Sequence, residues 1–190
     1  MVKEPRPGRV KTRLGRETGM TTAAWWFRHQ SKQLIRRLQD PRWSLILSVS
    51  PDYEGLQSRV WPTHIHRIPQ GRGDLGDRMA RSLRFTSGPS VLIGADIPGV
   101  TRKHIAEAFK YLGSAPSVLG PAHDGGFWLV GLRHPSIAPK DIFQNVRWSS
   151  QYAMIDTERT LPRPVAKTAM LHDVDTVEDL QFHLKSGACR

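Results

Sequence analysis

Cysteines and long apolar runs are scarce in this sequence, and each scarcity excludes a class of protein. The one cysteine, Cys189, leaves no partner for an internal disulfide and no cysteine cluster for zinc. No apolar run approaches the roughly 20 residues that a membrane-spanning helix needs. The first residues are rich in arginine and do not continue into an apolar signal stretch. We therefore expect a cytoplasmic protein without a membrane span.

Acidic residues are also few, 17 against 28 lysines and arginines, which gives a formal net charge of +11. This charge calls for anionic partners, whether nucleic acid, a membrane surface or phosphorylated small molecules, and it does not choose among them. The chain has 190 residues, of which 38% are hydrophobic and 24% charged, an ordinary composition for a soluble domain with a substantial core. We expect a single domain over residues 1–190.

Apolar residues recur at strand and helix spacing in alternating segments. The predicted helices cover 21–38, 77–84, 101–112 and 150–159, with a last one from about residue 176. The predicted strands cover 43–49, 63–68, 117–119 and 165–171, with two more beginning at Val91 and after Gly126. This alternation predicts an α/β fold with a mostly parallel, doubly wound sheet and helices on both faces.

The run from Val91 to Val100 delivers a carboxylate, Asp96, into a turn at the end of a predicted strand. In open α/β sheets, ligands collect beyond the carboxyl ends of the strands. Pro98 has no amide donor and helps to end strand pairing before Thr101, which can cap the next helix. A turn that Asp96 merely closes is the simpler alternative. We place the working centre of the protein at Asp96.

The segment from Lys3 to Leu14 is basic and too rich in proline to form a regular helix. It is not a P-loop, because only two residues separate Gly8 from Lys11 and the spacing of that motif is longer. Gly8 would let the backbone approach a ligand closely, and Lys11 and Arg13 could donate to phosphate oxygens. The segment therefore predicts a phosphate-binding loop.

Two further turns are rich in glycine. The turn from Gln70 to Gly76 opens a helix and can present backbone amides to an anion or a base edge. Asp124 lies between a proline turn and the pair Gly125 and Gly126, and paired glycines permit positive φ or a close backbone approach. For this second turn, an ordinary β-turn with a solvated aspartate is slightly favoured on the motif alone.

Asp173 and Asp175 come just before the last predicted helix, which Thr176 and Asp179 can cap. Capping gives no reason for the two upstream aspartates. Oxygen ligands gathered from separate strand ends are what Mg²⁺ or Mn²⁺ requires, usually with phosphate completing the shell. We expect Asp96 to meet Asp173 and Asp175 within one metal-binding radius.

Five ordered motifs, from Lys3 to about Leu184, strongly resemble one bacterial family of nucleotide-diphospho-sugar-transferase-like proteins. The motifs are Lys-x-Pro-x-Pro-Gly-x-Val-Lys-Thr-Arg-Leu, Gln-Gly-x-Gly-Asp-Leu-Gly, Gly-Ala-Asp-Ile-Pro, Gly-Pro-x-x-Asp-Gly-Gly-Phe-x-Leu-x-Gly-Leu and Asp-Val-Asp-Thr-x-x-Asp-Leu. Members are of the glycosyltransferase-A type, are often labelled a domain of unknown function, and are related to molybdenum-cofactor and phospholactate guanylyltransferases. The resemblance implies a Rossmann-like glycosyltransferase-A fold that binds a nucleotide and a divalent metal, Mg²⁺ or Mn²⁺.

The resemblance also implies a role for each candidate residue. The nucleotide phosphates would be held by Gly8, Lys11 and Arg13, and the base would face Gln70, Gly71, Gly73 and Gly76. The metal ligands would be Asp96 and Asp173 or Asp175, and the sugar or acceptor would lie against Asp124, Gly125 and Gly126. The catalytic groups would be Asp96, Lys11 and Asp124. Relatives carry a full apolar strand before the first loop, where this chain has Met1 and Val2, so we expect a truncated first strand.

Two chemistries fit these residues. In glycosyl transfer the metal stabilises a departing nucleoside diphosphate, and in nucleotidyl transfer the metal and Lys11 neutralise charge at an attacked α-phosphorus. We favour a metal-dependent glycosyltransferase that acts on a nucleotide sugar and a small acceptor. The alternative is a nucleotidyltransferase that joins a nucleoside triphosphate to a phosphorylated small molecule. A rival of another class is a basic nucleic-acid-binding module. The sequence has no identifiable groove-reading helix or aromatic stacking motif, and its set of carboxylates has the wrong charge for such a module, so we expect no nucleic-acid partner.

Overall fold

The computed structural model describes residues 1–185, and Cys189 therefore lies outside the described residues. The chain forms two compact units, and both are discontinuous in sequence. Among the described residues, the first unit contains 1–69, 95–102 and 172–185, and the second contains 70–94 and 103–171. The prediction of one domain stays a prediction. Among the helices within residues 1–185, none has both the length and the apolar character needed to cross a membrane.

Strands and helices alternate along the chain, as the apolar pattern predicted. The strands are β1 (Val2–Lys3), β2 (Ile46–Ser50), β3 (His66–Pro69), β4 (Ser90–Ile93), β5 (Ser117–Pro121), β6 (Phe127–Leu132) and β7 (Val165–Lys167). The helices are α1 (Thr12–Thr18), α2 (Met20–Leu38), α3 (Asp52–Gln57), α4 (Leu75–Leu83), α5 (Arg102–Leu112), α6 (Ala153–Thr160) and α7 (Val177–Lys185). The sequence pattern missed α1 and α3, because helices of seven and six residues are too short to show a periodicity.

The first unit is built on a parallel sheet in the order β1-β2-β3. The two-residue β1 pairs with the end of β2, where Val2 lies opposite Val49. Phe27 and Ile35 of α2 belong to the same buried cluster as Val49 and Trp61. The apolar side of α2 therefore covers the sheet, which agrees with the helix predicted from the spacing of its apolar residues.

The second unit is built on a sheet in the order β4-β6-β5-β7. Its core is formed by β5 and β6, where Val118, Leu119 and Leu129 are completely buried. β5 and β7 run parallel, but β6 runs antiparallel to both β4 and β5. The α/β fold with a parallel sheet flanked by helices is confirmed. The prediction of a mostly parallel sheet needs this correction in the second unit, because a tight turn around Gly125 returns the chain from β5 directly into β6.

Candidate functional site

Lys11 ends the basic loop and stands immediately before α1. Its backbone is left-handed, with φ 45° and ψ 50°, a conformation that is uncommon for a residue with a side chain. Earlier in the loop, Gly8 has φ 75°, and a Cβ added to it would meet nothing within 4 Å. Gly8 is therefore a glycine for its backbone conformation and not because a neighbour crowds it.

The side chain of Lys11 lies between two carboxylates of the first unit. Its Nζ is 2.7 Å from Oδ2 of Asp96 and 2.5 Å from Oδ1 of Asp175. Arg13 Nη1 approaches the other oxygen of Asp175, at 3.4 Å. We call these four residues the Lys11 cluster. The Lys11 side chain is only 5% exposed, whereas those of Asp96 and Asp175 are 34% and 36% exposed. The ammonium group of Lys11 is therefore covered, whereas water can still reach the carboxylates of Asp96 and Asp175.

Backbone contacts fix where the two carboxylates lie. The Val174 amide donates to the Asp96 carbonyl at 3.2 Å, so the segments that carry Asp96 and Asp175 run side by side. Asp179 then holds the start of α7, because its Oδ2 accepts from the amides of Asp175 and Thr176 at 3.0 and 2.8 Å. The predicted cap by Thr176 and Asp179 is confirmed. This cap places Asp175 just before the N-terminus of α7.

Opposite charges keep the Lys11 cluster ionised. Burial alone would lower the pKa of Lys11, but the charges of Asp96 and Asp175 outweigh burial and raise this pKa. Burial would likewise raise the pKa of Asp96, and the charge and hydrogen bond of Lys11 lower it instead. At neutral pH the cluster therefore holds two positive and two negative side chains, counting Arg13.

The donor set suits a metal ion only in part. Among residues 1–185, no group of three histidine, cysteine or acidic side chains is placed to hold a metal ion. Asp96 and Asp175 share one ammonium group, so they lie close enough to be two ligands of one small cation. Mg²⁺ is commonly held by one or two carboxylates together with substrate phosphates. Two carboxylates and a diphosphate fit that description, and the participation of Asp173 stays a prediction.

The glycines of the turn from Gln70 to Gly76 in the second unit have structural reasons to be glycine. Gly71 and Gly73 have φ 77° and 103°. A Cβ on Gly76 would lie 2.8 Å from both the Cβ and the carbonyl oxygen of Phe143. Arg81 donates to the Gln70 carbonyl and, at 3.1 Å, to that of Arg72. The turn is therefore held from within the second unit, and its contact with a nucleotide base stays a prediction.

The turn that carries Asp124 joins β5 to β6. Asp124 Oδ1 accepts from the Gly126 amide at 2.8 Å, and the Gly126 carbonyl accepts from Ala122 at 3.0 Å. Gly125 has φ 84°, and a Cβ there would lie 2.4 Å from the Gln151 carbonyl oxygen. Turn formation thus accounts for all three predicted residues. The Asp124 side chain is exposed, and its catalytic and acceptor-binding roles stay predictions.

The second unit also contains a cavity of about 660 Å³, and Asp74 of the predicted glycine-rich turn is among its lining residues. Its lining includes Arg81 and Arg84 of α4 and Phe143 and Asn145 of the loop before α6. Phe143 and Asn145 both have left-handed backbones, with φ 66° and 58°. No local pattern marks these residues, because they come from two segments about 60 residues apart in the chain. A positive φ at a residue other than glycine cannot be recognised from the sequence.

Comparisons with known proteins agree with the predicted family. A family described as uncharacterized protein conserved in bacteria (DUF2064) matches residues 33–150. This range includes Asp96 and both glycine-rich turns but neither Lys11 nor Asp175. The crystal structure of a "putative nucleotide-diphospho-sugar transferase" from Desulfovibrio desulfuricans G20 is 31% identical, with a TM-score of 0.83. The match covers 98% of this chain and 84% of that chain.

Two mycobacterial structures are similar in fold alone. Rv0371c from Mycobacterium tuberculosis H37Rv is 15% identical with a TM-score of 0.51, and the match covers 84% of this chain and 83% of that one. The homolog of Rv0371c from Mycobacterium sp. strain JC1 is 16% identical with a TM-score of 0.53, over 84% of this chain and 82% of that one. No curated protein matches the chain.

Proposed function

Because the chain belongs to the bacterial DUF2064 family of nucleotide-diphospho-sugar-transferase-like proteins, we propose that it is a transferase acting on a nucleotide sugar. The acceptor is a small molecule with a free hydroxyl group. The observation that carries this proposal is the Lys11 cluster, in which a covered lysine and two accessible carboxylates converge from three separate parts of the chain. A solvated basic loop would not bury its lysine between two carboxylates.

The Lys11 cluster has N–H hydrogen-bond donors that remain available to a phosphate. An ammonium group has three N–H donors, and Asp96 and Asp175 occupy two of those on Lys11. Arg13 has a side chain that is 66% exposed and makes one long contact, so most of its guanidinium donors face solvent. Hydrogen bonds from charged donors to phosphate oxygens are short and strong. Lys11 and Arg13 can therefore donate hydrogen bonds to the phosphates of a nucleotide.

Charge balance explains why we expect the activity to depend on a metal. Lys11 and Arg13 are offset by Asp96 and Asp175, so the cluster has no net charge to neutralise a diphosphate. Asp96 and Asp175 would hold Mg²⁺ or Mn²⁺, which, when bound, supplies the positive charge that stabilises a leaving diphosphate. These two carboxylates are about one third exposed, so a cation can reach them from solvent.

Glycosyl transfer at this site exchanges one bond for another. The acceptor hydroxyl oxygen forms a bond to the anomeric carbon of the sugar, and the bond from that carbon to the diphosphate oxygen breaks. The bonding electrons leave with the nucleoside diphosphate, whose added charge Lys11 and Arg13 stabilise. The hydroxyl proton passes to a base, for which we propose Asp124. Replacing Asp124 by Asn would test that assignment by lowering kcat while nucleotide affinity stays the same.

Thermal unfolding with added ligands tests the function directly. We expect nucleotide sugars to raise the melting temperature when Mg²⁺ or Mn²⁺ is present and not in EDTA, since a ligand at 100 times its Kd adds about 2.7 kcal/mol. Release of a nucleoside diphosphate on addition of an acceptor would identify glycosyl transfer. Stabilisation by nucleoside triphosphates with release of pyrophosphate would identify the nucleotidyltransferase instead. Salt-sensitive binding to DNA or RNA, with no effect of nucleotides, would refute both.

Arg13 provides the variant that separates binding from folding. Because Arg13 is exposed, Arg13→Ala should leave the melting temperature almost unchanged and weaken nucleotide binding by about 1.5–3 kcal/mol, which is roughly 10-fold to 150-fold in Kd. Arg16 lies on the same helix and is also exposed, so Arg16→Ala is the matched control and should bind as the wild type does. Equal Kd values for wild type and both variants would remove Arg13 from the site.

A further inference from the structure

The long helix α2 contains no acidic residue in its 19 positions. It does contain four basic residues and a histidine: Arg28, His29, Lys32, Arg36 and Arg37. Helices on protein surfaces usually alternate charges of both signs, because neighbouring residues of like charge repel one another. A helix with charges of one sign only therefore suggests a partner of the opposite sign.

Four of its side chains lie on one face of the helix. Trp25, His29, Lys32 and Arg36 are spaced by four, three and four residues, which is the spacing of a single stripe. Trp25 is 62% exposed, and its ring lies 4.0 Å from the ring of His29, centroid to centroid. His29 and Arg36 are exposed, and Lys32 is half-buried. We call these four residues the α2 stripe.

The two cations of the α2 stripe are not balanced by the protein itself. Within residues 1–185, neither Lys32 nor Arg36 forms an ion pair, and the same is true of Arg28 beside them. Other exposed arginines do have an acidic partner, as Arg42 has with Asp40 at 2.8 Å. The stripe therefore presents uncompensated positive charge next to a large exposed aromatic ring.

We propose that the α2 stripe docks the protein on a membrane surface that contains anionic phospholipids. Tryptophan rings favour the headgroup level of a bilayer, and lysine and arginine beside them attract anionic lipids. Single-stranded nucleic acid would instead need several aromatic platforms in a groove. Here the two aromatic residues after Trp25 turn toward the core, since Phe27 is buried and Trp26 packs against the buried cluster. One ring on a convex helix suits a lipid surface.

Sedimentation with vesicles tests the proposal on the full chain. The wild type should bind vesicles of phosphatidylcholine with 30% phosphatidylglycerol, a composition chosen as the anionic probe, and should not bind pure phosphatidylcholine. Lys32→Ala with Arg36→Ala should weaken binding about 25-fold, from roughly fivefold for each cation. Lys103 and Lys110 are exposed lysines of α5, and replacing both by Ala is the matched control, which should bind as the wild type does.

Fluorescence gives a second readout that a merely structural change would not produce. All six tryptophans lie within the described residues, and Trp25 is the exposed one among them. Its emission should shift to shorter wavelength when anionic vesicles are added, and this shift should vanish in Trp25→Phe. Failure of the wild type to bind anionic vesicles in 0.1 M salt would overturn the proposal. So would equal loss of binding in the α5 control, or binding to single-stranded DNA with none to vesicles.

Discussion

Replacing Lys11 by Met tests whether the Lys11 cluster stabilises the folded protein. Methionine fills a similar volume but carries no charge. The side chain that is lost is 5% exposed and is the shared partner of Asp96 and Asp175. Its removal leaves two neighbouring carboxylates without a cation between them, and Arg13 reaches only Asp175, at 3.4 Å.

The size of the effect follows from the exposure of the three groups. Removing one member of a fully buried ion pair destabilises a protein by about 3–5 kcal/mol. Asp96 and Asp175 are about one third exposed, so water screens their repulsion and the loss should be smaller. We expect about 2 kcal/mol, which lowers the melting temperature of a protein of this size by about 4–8 °C. Adding Asp96→Asn to Lys11→Met should restore about half of this loss.

The pH dependence distinguishes this explanation from a general packing defect. The pKa of Asp96 is lowered in the folded protein, so its stabilisation by Lys11 is present above about pH 4 and disappears as the pH falls through the folded pKa. The pKa of Lys11 is raised, so the same stabilisation persists until the pH rises above about 10. The difference in melting temperature between wild type and Lys11→Met should therefore be largest near pH 7 and shrink at lower pH.

Differential scanning calorimetry at several pH values measures this difference. Lys110→Met provides the control, because Lys110 is exposed on α5 and both residues are good helix formers. The control should melt within about 2 °C of the wild type, since exposed substitutions usually change stability by less than about 0.5 kcal/mol. Equal melting temperatures for Lys11→Met and wild type at pH 7, or a difference that is the same at every pH, would refute the reasoning.

Two further predictions concern the second unit. Gly76→Ala should lower stability by about 1–3 kcal/mol in urea unfolding, because its Cβ would lie 2.8 Å from Phe143. Gly88→Ala, where nothing lies within 4 Å, should have little effect, and equal losses in both would contradict the packing explanation. Hydrogen bonds from Arg147 lower the pKa of Asp156 to about 2, so their stabilisation is present above about pH 4 and lost toward pH 2. Asp156→Asn should therefore melt below the wild type at pH 7, with the gap narrowing on acidification; a constant gap would contradict this.

The sequence was enough to predict that Asp96 would lie near Asp175, but not that the Lys11 side chain would lie between them. Asp96 follows a strand and Asp175 precedes a helix, and in α/β sheets such positions gather at one edge. The pattern could not predict that Lys11 would be covered and would lie between the two carboxylates. That depends on pairings across 85 and 164 residues of sequence, which no local pattern encodes.

The sheet of the second unit was also predicted only in part. The apolar runs of β5 and β6 were visible, and the glycines between them were recognised as a turn. The direction of β6 was missed, because the prediction relied on the alternation of strands and helices, and here two strands follow one another without a helix. The motif alone slightly favoured an ordinary β-turn around Asp124, and the structure adds a packing reason for Gly125, because a Cβ there would lie 2.4 Å from the Gln151 carbonyl oxygen.

The order of synthesis determines when the Lys11 cluster of the first unit can form. Its three described pieces are 1–69, 95–102 and 172–185, and each contributes a member of the Lys11 cluster. A polypeptide emerges from the ribosome with its N-terminal part first. Lys11 and Asp96 are therefore synthesised first, and residues 103–171 must be translated before Asp175 can contact Lys11. Completion of the Lys11 cluster is thereby limited to chains whose translation has passed Asp175.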